Sequence, residues 1–233
     1  MNVLVISPHP DDAVWSCGGA LSAWAASDTP VTVATVFDAD GTPATEASVD
    51  TPMSVRRDED ATALAICGVT RVSLGFTEAA MRTAAGTGDP LYRSMLALRR
   101  APHPADELLT QAVADALAAH IKTVEVVIAP LGVGTHVDHA IVRHAAERLI
   151  APHLLRYYGE FPYGPPPPDG LVPRDYPVDF GIWLRAALAY RTQVEAMFAS
   201  AISFARALSR HARHNGRGAR WQEWGPSGRT GVL

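Results

Sequence analysis

The chain has 233 residues, which is long enough for one α/β domain with a full hydrophobic core. Its formal net charge of −4 argues against a general nucleic-acid binder, and it contains no run of about 20 apolar residues that could span a membrane. Two cysteines without zinc-finger or CxxC spacing are typical of buried, reduced thiols, so we expect a cytoplasmic enzyme.

Segments with a strand pattern alternate with segments with a helix pattern over the first two thirds of the chain. The predicted strands are Val3–Ile6, Val31–Phe37, Arg71–Leu74, Val124–Ala129 and Leu154–Tyr158. The predicted helices are Asp11–Ala26, Val55–Cys67, Ala105–His120 and Asp138–Leu149. This order predicts an α/β fold: a Rossmann-like, open, mostly parallel sheet with helices on both faces.

The remaining segments are less regular. Asp38–Met53 is polar and rich in turn-forming residues, and we expect a mobile loop there that could act as a lid. In the C-terminal third, Val178–Leu184 is predicted to be extended and Leu184–Phe198 helical, and the tail is expected to return to the body of the protein. The chain shows no internal repeat and no convincing linker, which predicts a single domain over residues 1–233.

Two polar motifs follow predicted strands, at the edge where an open parallel sheet binds ligands. HPDD at residues 9–12 comes directly after the first strand, and HVDH at residues 136–139 follows the fourth. Taken alone, the first motif could be a helix N-cap with acidic first-turn residues, and the second a polar loop. Their shared position at strand ends favours a common site that holds a cation, because adjacent carboxylates must be solvated or neutralised.

Nitrogen and oxygen donors of this kind suit zinc, which in catalytic sites takes three protein ligands and keeps one position for water. His9 and Asp12 lie three residues apart at a helix start, and His139 would complete the set from the second motif. The other divalent ions that bind such donors include iron.

Three further residues of the motifs have the chemistry of a hydrolytic site. Asp11 would lie beside the cation without binding it, in the position of a general base for an activated water. His136 precedes His139 by about one turn and could act as an acid. Asp138 could fix the tautomer and orientation of His136.

At these residues the sequence resembles the PIG-L or LmbE-like zinc-dependent N-deacetylases, whose pattern is a strand, then [P/A]HPDD, then a distal HxDH. The segments RRDED, LGFTEAAMR, YGEFPY and AYRTQ also resemble family segments, so the resemblance covers most of the chain. It implies an LmbE-like fold and one zinc ion bound by His9, Asp12 and His139. It also implies that Asp11 is the base and that His136 is the acid or oxyanion stabiliser.

The resemblance implies hydrolysis of an N-acetyl or other N-acyl group on an amino sugar or glycoside-type small molecule, as in secondary-metabolite or thiol-cofactor biosynthesis. Arg57, Glu78 and Arg82 are candidates for holding sugar hydroxyls. No nucleic acid and no membrane span are expected, and the sequence leaves a homo-oligomer open.

The sequence leaves two alternatives to the deacetylase function. The string DADGT at residues 38–42 matches the signature of haloacid-dehalogenase-type phosphatases, with Asp38 as nucleophile and Asp40 as acid, but Lys122 is the only lysine that could serve that chemistry. The second alternative is a non-catalytic sugar-binding module on the same fold. Such a module has no use for Asp11 beside a metal.

Overall fold

The computed structural model describes residues 1–41, 51–163, 170–213 and 218–227. The strands in these ranges are β1 (Val3–Ser7), β2 (Val31–Thr35), β3 (Thr70–Ser73), β4 (Val126–Pro130), β5 (Leu155–Tyr158), β6 (Leu171–Pro177) and β7 (Arg220–Pro226). The α-helices are α1 (Asp12–Ala26), α2 (Met53–Cys67), α3 (Glu107–Ala118), α4 (Val137–Leu149), α5 (Phe180–Ala187), α6 (Arg191–Met197) and α7 (Ala201–Ala212). Short 3₁₀ turns interrupt the irregular stretch between β3 and α3.

The strands form one mixed sheet in the order β3-β2-β1-β4-β5-β7-β6 over the described residues. The first five strands in this order are parallel, β7 pairs antiparallel with β5, and β6 pairs antiparallel with β7 at the edge of the sheet. The prediction of an open, mostly parallel sheet is therefore confirmed.

Alternate residues of the central strands face two separate hydrophobic clusters, one on each side of the sheet. Val3 and Val5 of β1 pack into the cluster that contains α1, α2, α5 and α7. Leu4 and Ile6 pack into the cluster that contains α3 and α4. Every residue of β1 is buried, and its first four residues form an unbroken apolar run, as expected for a parallel strand covered on both faces.

The C-terminal third differs from the prediction. The segment expected to be extended, Val178–Leu184, lies mostly in α5, because Asp179 caps this helix by accepting hydrogen bonds from the backbone N–H groups of Gly181 (2.7 Å) and Ile182 (3.1 Å). The helix expected at 184–198 is two helices, α5 and α6. The tail does return to the body, as strand β7. Residues 42–50 of the predicted lid lie outside the described residues.

All five tryptophans are buried in the two hydrophobic clusters. No helix among the described residues is long and apolar enough to cross a membrane.

Helix α1 packs closely on α5, and glycines make this approach possible. A Cβ atom added at Gly18 would lie 2.5 Å from Trp183 Cδ1, and one at Gly19 would lie 2.7 Å from a methyl group of Val178. The indole Nε1 of Trp183 donates a hydrogen bond to the backbone carbonyl of Val14 (2.8 Å). The C-terminal third therefore holds the helix that begins at the first polar motif.

We predict that Gly18→Ala lowers the free energy of unfolding by about 1–3 kcal/mol, because the added methyl group overpacks the contact with Trp183. In an exposed helix the same change would stabilise by about 1 kcal/mol. Urea unfolding checks this result. In a Trp183→Leu background the effect of Gly18→Ala should nearly vanish, and an equal cost in both backgrounds would contradict the assignment.

Candidate metal centre and active site

The parallel pairing of β1 with β4 brings the two polar motifs together. Val3, Leu4 and Val5 pair with Val126, Val127 and Ile128, so both strands end at the same edge of the sheet. The HPDD motif connects β1 to α1, and the HVDH motif begins α4 directly after the β4 loop. The juxtaposition predicted from the sequence is therefore present.

His9, Asp12 and His139 offer three ligand atoms that lie within 4.8 Å of one another. Asp12 Oδ2 is 3.1 Å from His9 Nδ1 and 3.3 Å from His139 Nε2. The three side chains are largely buried, with 12%, 12% and 7% of their surfaces exposed. Two imidazole nitrogens and one carboxylate oxygen that converge on one buried point fit a divalent cation with an open coordination position.

The charges of this cluster are strongly coupled. Burial by itself lowers the pKa of His9, but its hydrogen bonds to Asp12 and Asp138 outweigh burial and raise the pKa to about 9. His139 behaves in the same way: burial opposes the charged form, and Asp12 and Glu160 raise its pKa well above the usual range. Burial would raise the pKa of Asp12, yet the two histidines hold it well below its ordinary value.

A buried carboxylate supports His9 from the side away from Asp12. Asp138 Oδ2 lies 3.0 Å from His9 Nε2 and also accepts the backbone N–H of Ala79 (2.8 Å), while Oδ1 accepts from Arg82 (2.6 Å). Burial opposes ionisation of Asp138, but His9 and Arg82 keep the pKa of this carboxyl below its usual range. The expected partner of the Asp138 carboxylate was His136. In the structure the Asp138 carboxylate is hydrogen-bonded to His9, and the hydrogen bond to His136 comes from the backbone N–H of Asp138.

A second buried carboxylate, Glu160, supports His139 and was missed by the sequence reasoning. Glu160 is fully buried just after β5, and its Oε1 lies 3.1 Å from His139 Nδ1. Oε1 and Oε2 also accept the backbone N–H groups of Gly132 (2.6 Å) and Val133 (3.3 Å). One side chain thus connects the β4 loop to a candidate metal ligand, and it leaves His139 Nε2 directed at Asp12. The sequence feature that points to Glu160 is its position in YGEFPY, a segment that resembles a family segment.

Asp11 lines the cavity above the cluster. It is 6% exposed, and among the described residues its carboxylate has no hydrogen-bond partner. Burial and the neighbouring charge of Asp12 raise its pKa to about 8, although Arg56 and His9 act in the opposite direction. Its backbone φ of 110° lies in a region that non-glycine residues seldom adopt, as is often seen at functional sites.

His136 forms the N-cap of α4 and faces the same cavity. Its Nδ1 accepts the backbone N–H of Asp138 (3.2 Å), which places the proton of the neutral ring on Nε2. Burial, opposed in part by Asp138, lowers the pKa of His136 to about 3. The ring is therefore a neutral hydrogen-bond donor near pH 7.

The cavity has a volume of about 250 Å³ and extends from the cluster towards the surface. One wall is the buried ion pair of Arg56 and Glu78, with 3.0 Å between Nη1 and Oε2. Gln193 of α6 reaches the cavity with 3% of its surface exposed, and its one hydrogen bond among the described residues is a 3.4 Å contact with Thr192 Oγ1. The remaining walls are mainly apolar: Trp15, Ala80, Met95, Leu98, Phe161, Tyr163 and Met197.

The three predicted substrate residues have different positions. Glu78 lines the cavity, as expected. Arg57 lies outside it and binds the backbone carbonyl of Asp38 (2.7 Å) and the carboxylate of Asp40 (2.8 Å), because the helical turn directs its neighbour Arg56 inwards instead. Arg82 lies behind the cavity wall, paired with Asp138 and Asp106. Its guanidinium donates hydrogen bonds to these two carboxylates and does not line the cavity.

The DADGT string has a structural role here. Asp38 is 1% exposed, and its carboxylate pairs with Arg71 (2.7 Å) and accepts the backbone N–H of Gly75 (3.0 Å). Lys122 is exposed and precedes β4, whereas Asp38 follows β2. Because these strands are parallel, the two residues lie at opposite edges of the sheet. The phosphatase interpretation is therefore wrong.

The fold and this cluster together define the class: an open α/β protein with a candidate divalent-metal centre at the carboxyl edge of its central strands. The chain belongs to the PIG-L family, whose model, described as GlcNAc-PI de-N-acetylase, matches residues 4–150. The HPDD and HVDH motifs lie within this range, and Glu160 lies beyond it.

Three relatives illustrate the similarity. The chain is 32% identical over 168 residues to 2'-N-acetylparomamine deacetylase of Streptomyces fradiae, a match that covers 69% of this chain and 57% of that protein. A deacetylase of the teicoplanin biosynthesis pathway superposes with a TM-score of 0.80 at 25% identity, covering 96% of this chain and 97% of the other. The A40926 pseudoaglycone deacetylase Dbv21 gives a TM-score of 0.73 at 25% identity and covers 96% of both chains.

We predict that Glu160→Gln weakens metal binding about 10- to 100-fold, because the amide nitrogen cannot replace a carboxylate oxygen as an acceptor for the backbone and for His139. Competition with a chromogenic chelator measures the affinity. Glu107→Gln, which alters an exposed carboxylate paired with Arg148, is the matched control and should bind metal normally. Unchanged affinity in Glu160→Gln would show that this carboxylate does not support the ligand.

Proposed function

We propose that this protein is a zinc-dependent N-deacetylase that hydrolyses the N-acetyl group of an amino sugar or glycoside-type small molecule. The observation that carries the proposal is the convergence of His9, Asp12 and His139 below a cavity that Asp11 and His136 also line. A sugar-binding module would not need a buried, unpartnered carboxylate at this position.

His9, Asp12 and His139 would hold the cation. When bound, a divalent ion of this kind lowers the pKa of a water molecule and polarises a carbonyl group, which are the two requirements of amide hydrolysis. Asp138 and Glu160 keep the two histidine rings oriented and occupy their outer nitrogens. This arrangement of a histidine between a metal and a carboxylate is common in metalloenzymes.

Asp11 is the proposed general base. Its carboxyl group lines the cavity beside Asp12 and accepts no hydrogen bond from another described residue. A cation held by the neighbouring ligands would favour the ionised form against the raised pKa described above, and the carboxylate could then accept a proton from the attacking water. The same group, once protonated, can return the proton to the leaving amine. An amide bond breaks readily only when its nitrogen is protonated, so this transfer completes the reaction.

His136 is the proposed oxyanion donor. Because its Nδ1 is occupied by the backbone N–H of Asp138, the Nε2–H group is free to donate a hydrogen bond to the developing negative charge on the carbonyl oxygen. The role is that of a neutral donor, which refines the protonated acid expected from the sequence.

The cavity walls support a small polyhydroxylated substrate. The Arg56–Glu78 pair and the amide of Gln193 offer donors and acceptors for hydroxyl groups, while Trp15 and Leu98 offer apolar surface for the sugar ring faces and the acetyl methyl group. The relatives are named as a deacetylase of 2'-N-acetylparomamine, a deacetylase of the teicoplanin biosynthesis pathway and a deacetylase of the A40926 pseudoaglycone, and these names support a deacetylase function for this chain.

We predict that Asp11→Asn lowers kcat by about 10²-fold or more and that His136→Ala lowers it by about 10²- to 10³-fold, with zinc content unchanged. Acetate release from N-acetyl amino sugars, measured with elemental analysis of the metal, checks both effects. Asp115→Asn and His153→Ala make the same chemical changes at exposed positions and should be neutral. Near-normal turnover in Asp11→Asn and His136→Ala would contradict the mechanism.

A further inference from the structure

A pair of exposed arginines, Arg99 and Arg100, lies at the mouth of the candidate active site. Arg99 lines the catalytic cavity and also a neighbouring groove of about 430 Å³, which Arg100 lines as well. In the part of the chain that the structure describes, neither guanidinium pairs with a carboxylate. They therefore present unneutralised positive charge on a chain whose net charge is −4.

Arg99 is held in place by a stack of groups. Its guanidinium carbon lies 5.8 Å from the centre of the Tyr163 ring. That ring rests on Gly134, where an added Cβ atom would come within 2.8 Å of it. Gly134, in the loop before His136, therefore leaves room for the Tyr163 ring, and the Arg99 guanidinium lies over that ring. A stacked guanidinium keeps its N–H groups free at the edges, which is the geometry for bidentate binding of a carboxylate or phosphate.

The far wall of the groove does not offset this charge. Arg143 and His144 line it together with Glu147, whose Oε1 accepts from Arg143 Nε (2.8 Å) and from the hydroxyl of Tyr157 (3.1 Å). The carboxylate that this groove contains is therefore already engaged. An anion would find two guanidinium groups there that no described carboxylate neutralises.

We propose that Arg99, assisted by Arg100, binds an anionic group that the substrate carries outside its N-acyl sugar. This inference rests on the proposed deacetylase function and deepens it. The substrate class is an N-acyl amino sugar linked to a carboxylate or phosphate, rather than one with additional ammonium groups. Arg99 is then a specificity-determining residue, since it contacts the substrate away from the scissile amide.

The test compares four N-acetylglucosamine derivatives as substrates. The neutral probe is the methyl glycoside, the carboxylate probe is a disaccharide with glucuronic acid, the phosphate probe is the 1-phosphate, and the cationic probe is a disaccharide with glucosamine. We expect kcat/KM for at least one anionic probe to exceed that of the neutral probe about tenfold or more at low ionic strength. This advantage should shrink in 0.5 M salt, because the rim is exposed. The two anionic probes distinguish a carboxylate from a phosphate.

Arg99→Gln should lower kcat/KM for the preferred anionic probe about 10- to 100-fold and should lower kcat/KM for the neutral probe by a much smaller factor. Arg100→Gln should have a smaller effect in the same direction. Arg206→Gln is the matched control, because it removes one exposed arginine from α7, away from the cavity and the groove, and changes the net charge equally.

Hydrolysis of the neutral or cationic probe in preference to both anionic probes would overturn the inference and leave the deacetylase function intact. The same holds if Arg99→Gln slows the neutral and anionic probes equally. If the wild-type protein, loaded with zinc, releases acetate from none of the probes, the proposed function fails and the inference fails with it.

Discussion

The candidate site depends on one constraint, the parallel hydrogen bonding of β1 to β4. This pairing fixes both the edge at which the two strands end and the distance between the loops that follow them. His9 and His139 are separated by 129 intervening residues, yet their ring centres lie 5.4 Å apart. A change in register between these strands would turn their side chains to the opposite faces and shift the loops relative to one another. The buried valines and isoleucines of β1 and β4 specify this register, so the hydrophobic core determines the geometry of the polar cluster.

Around the cluster, buried charges are arranged in connected chains. Asp138 joins His9 to Arg82, and Arg82 continues to Asp106, whose carboxylate also accepts the hydroxyl of Tyr92 (2.5 Å). Glu160 forms a shorter chain from His139 to the backbone of the β4 loop. Buried charges are costly unless they are paired and hydrogen-bonded, and here almost every carboxylate is satisfied by two or more donors. Of the carboxyl groups that line the cavity, Glu78 accepts one hydrogen bond, from Arg56, and Asp11 accepts none from the described residues.

Much of this could be predicted from the sequence, and the missing parts share a physical cause. The strands β1–β5, the helices α1–α4 and the approach of the two motifs followed from apolar periodicity and from the geometry of parallel sheets. The partner of the Asp138 carboxylate and the inward turn of Arg56 rather than Arg57 depend on side-chain directions that differ by one residue, about 100° around a helix. Glu160 acts through contacts over 21 and 28 residues, which no local pattern reports. Neither β6 nor β7 has the apolar run of a central strand, because β6 is half-exposed and β7 alternates buried tryptophans with polar residues.

The contact between Gly18 and Trp183 joins two parts of the chain that contribute different residues to the candidate site. The family match ends at residue 150, and it contains the whole set of side chains that converge on the cation. The later residues supply Phe161, Tyr163, Gln193 and Met197, which shape the space above it. The two parts are connected by the close packing of Trp183 of the later part against Gly18 of the earlier part. Substitutions in the later part can therefore change the shape of this space without changing the candidate metal ligands, provided that the contact between Gly18 and Trp183 is kept.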